Sequence, residues 1–299
     1  MSAVLKITRA GPLTSIQDHG RFGMLRHGVS ASGPMDRSSY ETAGQLAGAG
    51  RGGIEFTMAG LELMIASGSS GTGFAGGNFV IKHNGATLPW PGTARLEAGD
   101  TLAVTPGRSG NYGYLRFGGE MIAPPVMGSI ATSSRAGLGG INGRSLRVGD
   151  VIEISGQGSP VGFRLRDPQY EGPIRIVWGL HADLFPHSLR QQFLESGFTV
   201  SSRLDRMGVR LDDANGVFAT AANLALVSDA IVPGDIQILG DGTPIVLMRD
   251  HQPTGGYPRI ATVISADLDR FAQLRPGSPV AFASVTVEHA HALLRGRTT

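Results

Sequence analysis

Short apolar runs, most of them the length of a single strand, recur from one end of this chain to the other. They are Val4–Thr8, Leu61–Ile65, Phe79–Lys82, Thr101–Val104, Tyr112–Phe117, Val151–Ile154, Ile174–Trp178, Phe198–Ser201, Ile236–Leu239, Ile245–Met248, Ala261–Ile264 and Val280–Ala283. Gly, Pro, Asn or Asp flanks most of them, and these residues end strands and turn chains. Runs this short and this regularly punctuated are the pattern of sandwiches and barrels. The 45 glycines and 17 prolines supply the turns; the Gly share is about twice the usual figure of roughly 7%. With 41% hydrophobic residues, such a chain buries a core and is not disordered. The expected class is mainly β, with few helices.

Four helices are expected. Pro34–Ala47 has Ser32 as a cap and Gly48 beyond its end. In Asp183–Ser196, Phe185, Leu189 and Phe193 fall on one face. Ala266–Leu274 would be capped by Ser265 and stopped before Pro276, and Glu288–Arg295 is short. Two weak repeats stand out. Leu96–Leu102, Leu146–Ile152 and Leu274–Val280 share the form L-x-x-G-x-x-apolar, a turn feeding a buried strand. Arg21-Phe-Gly and Arg206-Met-Gly suggest two related halves. Asp167, Pro168, Gly172 and Pro173 make a linker between them at 166–172. The expected division is therefore 1–168 and 169–299.

Charge and composition exclude several functions. The net charge is +2, and the basic residues are scattered with no basic run. Nothing there is an electrostatic footprint for nucleic acid. With no Cys, thiolate metal sites and a Cys nucleophile are ruled out. No 18-residue apolar run is present, and Met1–Pro12 lacks the apolar core of a signal peptide. A cytoplasmic protein without membrane contact is expected. No phosphate-binding G-x-x-x-x-G-K-[ST] loop occurs, and no histidine pair has H-E-x-x-H spacing. No metal ligands are assigned, and metal use stays open.

Ile238–Ala266 is the densest concentration of chemistry. Between two apolar runs it presents Arg249, Asp250, His251, Gln252, Thr254 and Tyr257 around Gly255 and Gly256. Polar groups between buried strands are costly unless something binds them. The alternative is a satisfied hairpin-like corner. In Gly11–Gly23, Gln17, Asp18, His19 and Arg21 follow a strand. In Gly28–Asp36, Ser32 precedes a helix start, where the dipole favours an anion and where Ser32 and Asp36 are also plain capping residues. In Ser201–Leu211, Arg203, Asp205, Arg206 and Arg210 crowd a polar turn. A guanidinium fork suits carboxylate or phosphate, and a solvated Arg–Asp pair would explain the same cluster. Arg206 is expected to serve anion binding rather than the core. These residues lead to a polar groove for a small anionic or amide substrate, and to no particular reaction.

Six ordered segments together resemble one family: Gly11–Gly23, Gly28–Asp36, Tyr114–Gly140, Ser201–Leu211, Val232–Asp250 and Thr254–Leu268. It is the carboxyltransferase family that includes the C-subunit of 5-oxoprolinase, allophanate hydrolase subunit 2, KipA and half of the urea carboxylase carboxyltransferase domain. Arg116 and Gly53–Thr57 depart from its commoner wording. The resemblance implies two cyclophilin-like β-barrel units. It implies action beside a sister subunit of the KipI or allophanate hydrolase subunit 1 type, with a third oxoprolinase subunit, in a complex that uses ATP to open 5-oxoproline or a related amide such as allophanate. No biotin attachment motif is present, which favours the oxoprolinase type over the carboxylase type. The alternative is a non-catalytic, KipA-like regulator that binds a KipI-like inhibitor of a histidine kinase. For amide activation the chemistry needs a clamp, a cradle and a base. Arg21 and Arg206 are the expected clamp. Gln17, Ser32, Gln252, Thr254 and Tyr257 are the expected cradle. Asp250 is the expected base, with Asp18 behind it.

Overall fold

The computed structural model describes residues 2–156, 158, 171–219 and 226–296; of the linker expected at 166–172, residues 166–170 lie outside these. The chain forms two compact units, one of Met1–Met24 with Ala31–Asp167, the other of Leu25–Ser30 with Pro168–Thr299. Both are built mainly of β-strands curled toward barrels.

In the first unit, Ala3–Ala10 alternates as a half-buried strand must, with Ala3, Leu5 and Ile7 inside. Burying each such Leu or Ile side chain contributes roughly 1.5–3 kcal/mol. The strand pairs antiparallel with Val151–Ser155 on one side and with Leu61–Gly76 on the other. Leu61–Gly76 is 16 residues long and changes partners near Gly68, where φ is +74°. Before that point it pairs with Ala3–Ala10 and Thr101–Pro106; after it, with Gly92–Glu97 and Tyr112–Phe117. A glycine bend of this kind lets one strand serve both halves of a curled sheet. Inside, Phe56 packs on Phe79 with ring centroids 5.1 Å apart, and Trp90 stacks on Phe74 at 5.5 Å. Helix α1 (Arg37–Ala47) lies against the long strand at Gly73, where a Cβ would sit 2.2 Å from the Ala43 carbonyl oxygen.

The repeated L-x-x-G-x-x-apolar segments are the same turn three times. Asp100, Asp150 and Ser278 each donate their N–H to the carbonyl three residues back. Gly99, Gly149 and Gly277 stand third in the turn at φ +93°, +92° and +83°. Only glycine adopts that position of a type II turn without strain. Asp100 adds a side-chain bond to the Glu97 N–H and receives one from Asn84, which pulls its carboxyl down to about 2.

In the second unit, eight of the described strands form one sheet. Its order is Pro279–Val280, Phe198–Leu204, Gly208–Asp212, Pro244–Leu247, Asp235–Ile238, Arg259–Val263, Ile174–Trp178 and Phe282–Ser284. The run expected as one strand, Val280–Ala283, is therefore two strands on opposite edges of that sheet. Two residues cannot span a flat eight-stranded sheet, so the edges meet and the sheet nearly closes into a barrel. Phe282 then reaches Phe193 at 4.9 Å and Phe198 at 5.9 Å within one aromatic core.

The helices differ from expectation at their starts. Helix α1 begins at Arg37 and is capped by Asp36, which accepts the Ser39 N–H; Ser32 lies outside it. Asp183–Ser196 is broken by Pro186 into a 3-10 turn (Ala182–Leu184) and helix α2 (His187–Glu195). Proline suits a helix start and not its interior. Phe185 is buried outside the helix, while Leu189 and Phe193 are buried on it. Helix α3 (Ser265–Ala272) includes Ser265 instead of being capped by it, and helix α4 (Val287–Arg295) is capped by Thr286. No described helix is long and apolar enough to cross a membrane.

Candidate functional site

The expected site residues divide between the two units. In the first, Gln17, Asp18, Arg21 and Ser32 are all buried. Gln17 Nε2 donates to Ser15 Oγ at 2.9 Å and to the Thr132 carbonyl at 3.2 Å, while its Oε1 accepts the Gly33 N–H at 3.1 Å. Asp18 Oδ1 accepts from the Gly20 N–H at 2.9 Å and the Ser129 hydroxyl at 2.5 Å; Oδ2 accepts the Ile130 N–H at 2.8 Å. Arg21 donates to the carbonyls of Ala131 and Val126. These three side chains therefore tie residues 17–21 to the distant segment 126–132. Ser32 sits at φ +56°, and its buried hydroxyl has no partner among the described residues. Glu55, also buried, accepts the Met35 N–H and the Tyr114 hydroxyl, both at 2.8 Å. Burial, with Glu55 and Asp36 nearby, pushes the Tyr114 hydroxyl far up and keeps it a donor.

In the second unit, sheet register builds the site. Gly208 faces Leu247 and Arg210 faces Ile245. The ladder runs on past the strand ends, with Met248 N–H to the Met207 carbonyl and Asp250 N–H to the Arg206 carbonyl, each at 2.8 Å. That register sets Arg206 against Asp250. The pair is bidentate, Nε to Oδ2 at 2.9 Å and Nη2 to Oδ1 at 3.3 Å, and the two side chains are only 5% and 4% exposed. Arg206 is thus no residue of a solvated turn. Arg249, which precedes Asp250, pairs instead with Asp269 on α3 at 3.3 Å.

His251 follows at once and is buried. Its Nδ1 lies 2.6 Å from the Gln252 carbonyl oxygen. A carbonyl only accepts, so Nδ1 carries the proton and Nε2 keeps the lone pair. Burial holds the imidazole below its ordinary pKa and so neutral. Gln252 is half-buried, Thr254 is exposed, and Tyr257 is 39% exposed. Thr254–Gly255 pairs with Asp229–Ala230 as a small two-stranded flap. Against Gly255 lies Gln237, whose buried Nε2 has no partner among the described residues; a Cβ on Gly255 would come within 2.5 Å of it. Arg259 anchors the flap through the Ala230 carbonyl at 2.7 Å and the Asp229 carboxylate at 2.5 Å. His251 and Gln237 were not among the expected site residues. His251 stands inside the polar segment and could have been found there; Gln237 sits in the short buried strand Asp235–Ile238, 14 positions from that segment's His251.

The neutral, buried His251 has a consequence for stability. Its folded pKa lies below the unfolded value of 6.5, so the unfolded chain binds the proton more readily. The stabilising contribution is complete above about pH 6.5 and is lost as pH falls through the folded pKa. The melting temperature should therefore drop as pH falls from neutral through about 6.5 and below. His251→Gln should flatten that drop. An identical pH dependence in the variant would show that His251 is not its source.

Residues 27–284 match the family described as carboxyltransferase domain, subdomain A and B. The chain is 33% identical over 302 residues to the C-subunit of 5-oxoprolinase from Escherichia coli strain K12, covering 96% of this chain and 93% of that protein. It is 28% identical over 314 residues to the urea amidolyase of Saccharomyces cerevisiae, covering 97% of this chain but 17% of that much longer protein. The crystal structure of the K. lactis urea amidolyase superposes with a TM-score of 0.87 at 27% identity, over 99% of this chain and 19% of that one.

Proposed function

This chain belongs to the carboxyltransferase family of subdomains A and B, and on that premise we propose that it is one subunit of an ATP-dependent complex that opens a cyclic amide of the 5-oxoproline kind to the acid. Mutual coverage carries this reading: the chain and the oxoprolinase C-subunit match over nearly the whole of both, whereas the chain corresponds to a small part of urea amidolyase. The second unit supplies chemistry suited to an amide. A lactam carbonyl is resonance-stabilised, and its opening needs a stabiliser for developing negative charge and a proton acceptor. Arg206, held rigid by Asp250, is the stabiliser. Asp250, expected from the sequence as the base, already gives both oxygens to Arg206; its role in this reading is to hold the guanidinium. The acceptor is His251 Nε2. The Gln237 amide, with Gln252, Thr254 and Tyr257, forms the cradle. In the first unit, Gln17, Asp18 and Arg21 hold the loops on which Ser32 is presented.

No phosphate-binding loop is present, so ATP use belongs to the complex. Purified alone, the chain should release no glutamate from 5-oxoproline and ATP. Turnover should appear when the sister subunits of the oxoprolinase type are added, and allophanate in place of 5-oxoproline tests the related amide. Robust turnover by the isolated chain would overturn the subunit reading. A stable reconstituted complex that hydrolyses neither amide would overturn the enzymatic one.

A further inference from the structure

In the first unit a cleft of ≈ 590 Å³ opens beside the C-terminal end of α1, lined among others by His19, Glu41, Gly44, Arg51 and Arg116. Arg116 lies on the buried strand Tyr112–Phe117 and is 3% exposed. Buried guanidinium groups are ordinarily matched to carboxylates, because an uncompensated charge in the interior is costly. Among the described residues no carboxylate bonds this one. Nε donates to the Gly52 carbonyl at 2.8 Å, Nη1 to the Tyr40 carbonyl at 3.4 Å, and Nη2 to the Gly50 carbonyl. The plane stacks over the Tyr40 ring at 3.9 Å. Burial is the main influence on its pKa and lowers it, against the opposing pull of Tyr40, Glu41 and Asp18.

The surroundings are shaped around that group. Gly44 stands inside α1, where glycine costs up to about 1 kcal/mol against alanine. A Cβ there would lie 2.8 Å from Arg116 Nη1, and one on Gly53 would lie 2.4 Å from Arg116 Cδ. Three of five guanidinium N–H bonds are used by carbonyls, which leaves one on each terminal nitrogen without a partner among the described residues. Arg51 adds a second positive group to the lining. Glu41 is the one carboxylate among the described lining residues; its side chain is half exposed and it pairs with His19 at 3.2 Å.

We propose that this cleft is a binding site for a small organic carboxylate, which pairs with the unused terminal N–H groups of Arg116 while Arg51 closes the rim. A planar carboxylate suits a guanidinium edge, and the cleft is of the volume that small ligands occupy. The site lies wholly in the first unit, so its failure would leave the proposed amide chemistry of the second unit untouched.

The test uses the whole chain, with acetate as the probe and chloride as the control, read by the ¹⁵N resonance of Arg116 Nε. Acetate should shift that resonance saturably, and chloride should not reproduce the shift. Two rim variants keep the test independent of the buried arginine. Glu41→Gln removes a repelling charge and should tighten acetate binding about two- to five-fold; Arg51→Gln should weaken it by a similar factor. No saturable shift, an equal response to chloride, or affinities unmoved by both rim variants would overturn the site.

Discussion

Arg206→Ala is expected to lower the unfolding free energy by about 3–5 kcal/mol, the usual cost of leaving one member of a buried ion pair alone. Asp250 would keep its place, 4% exposed, with its bidentate partner gone. The melting temperature should fall by roughly 10 °C, at a few degrees per kcal/mol for a domain of this size. The sequence alone suggests the reverse, a polar-turn arginine whose loss harms function and spares the fold. Burial is what changes the expectation, because water no longer screens the stranded carboxylate. The double variant Arg206→Met with Asp250→Leu separates pairing from packing. Replacing a buried pair with apolar residues of similar volume is often neutral or stabilising, so the double variant should be more stable than Arg206→Ala. Denaturant unfolding of the three chains decides it. A loss under about 1 kcal/mol in Arg206→Ala would place the pair with weak surface bridges.

His251→Gln is expected to cost the reconstituted complex roughly 10²–10⁴-fold in kcat, the range for a lost acid–base group. Glutamine keeps a polar side chain of comparable length but cannot take up a proton at neutral pH. The fold should be little disturbed near pH 7.5, where the native imidazole is already neutral. Wild-type kcat should fall on the acid side with a midpoint below the ordinary histidine value, because burial holds the imidazole there. Asp250→Asn is the comparison. If Asp250 only orients Arg206, its amide variant should lose less than His251→Gln and keep the acid limb of the profile. A larger loss in Asp250→Asn, with near-normal turnover in His251→Gln, would return the base to Asp250.

The strands that were legible were those with their own apolar alternation or a continuous apolar run. Each of the twelve expected runs overlaps a strand, though Val280–Ala283 divides between two; Ala3–Ala10 alternates in burial, whereas Tyr112–Phe117 and Pro244–Leu247 are buried throughout. Ser15–Gln17, Gly53–Thr57 and Gly92–Glu97 were not found. The first is too short for a pattern, the second carries the buried Glu55, and the third is largely exposed with Leu96 alone inside. The turn within each L-x-x-G repeat was legible for a local reason too, the glycine φ its geometry requires. Segment 249–257 was legible as a polar insertion between buried strands, but the partners of its side chains were not.

What the sequence by itself determined is therefore local: strand-sized segments, turns, the places where polar groups interrupt apolar ones, and the motif order that marks the family. Only the tertiary structure decided the partners. Asp250 meets Arg206 across 44 positions, and Arg116 meets the carbonyls of Gly52 and Gly50 across 64 and 66. Such contacts follow from sheet register and from the closing of a barrel between Val280 and Phe282, which no neighbouring residue encodes. Burial then sets the chemistry. The same arginine that would be a screened surface charge in an exposed turn becomes half of a buried pair. The same histidine that would titrate near its ordinary value is held neutral, because the interior disfavours its charged form.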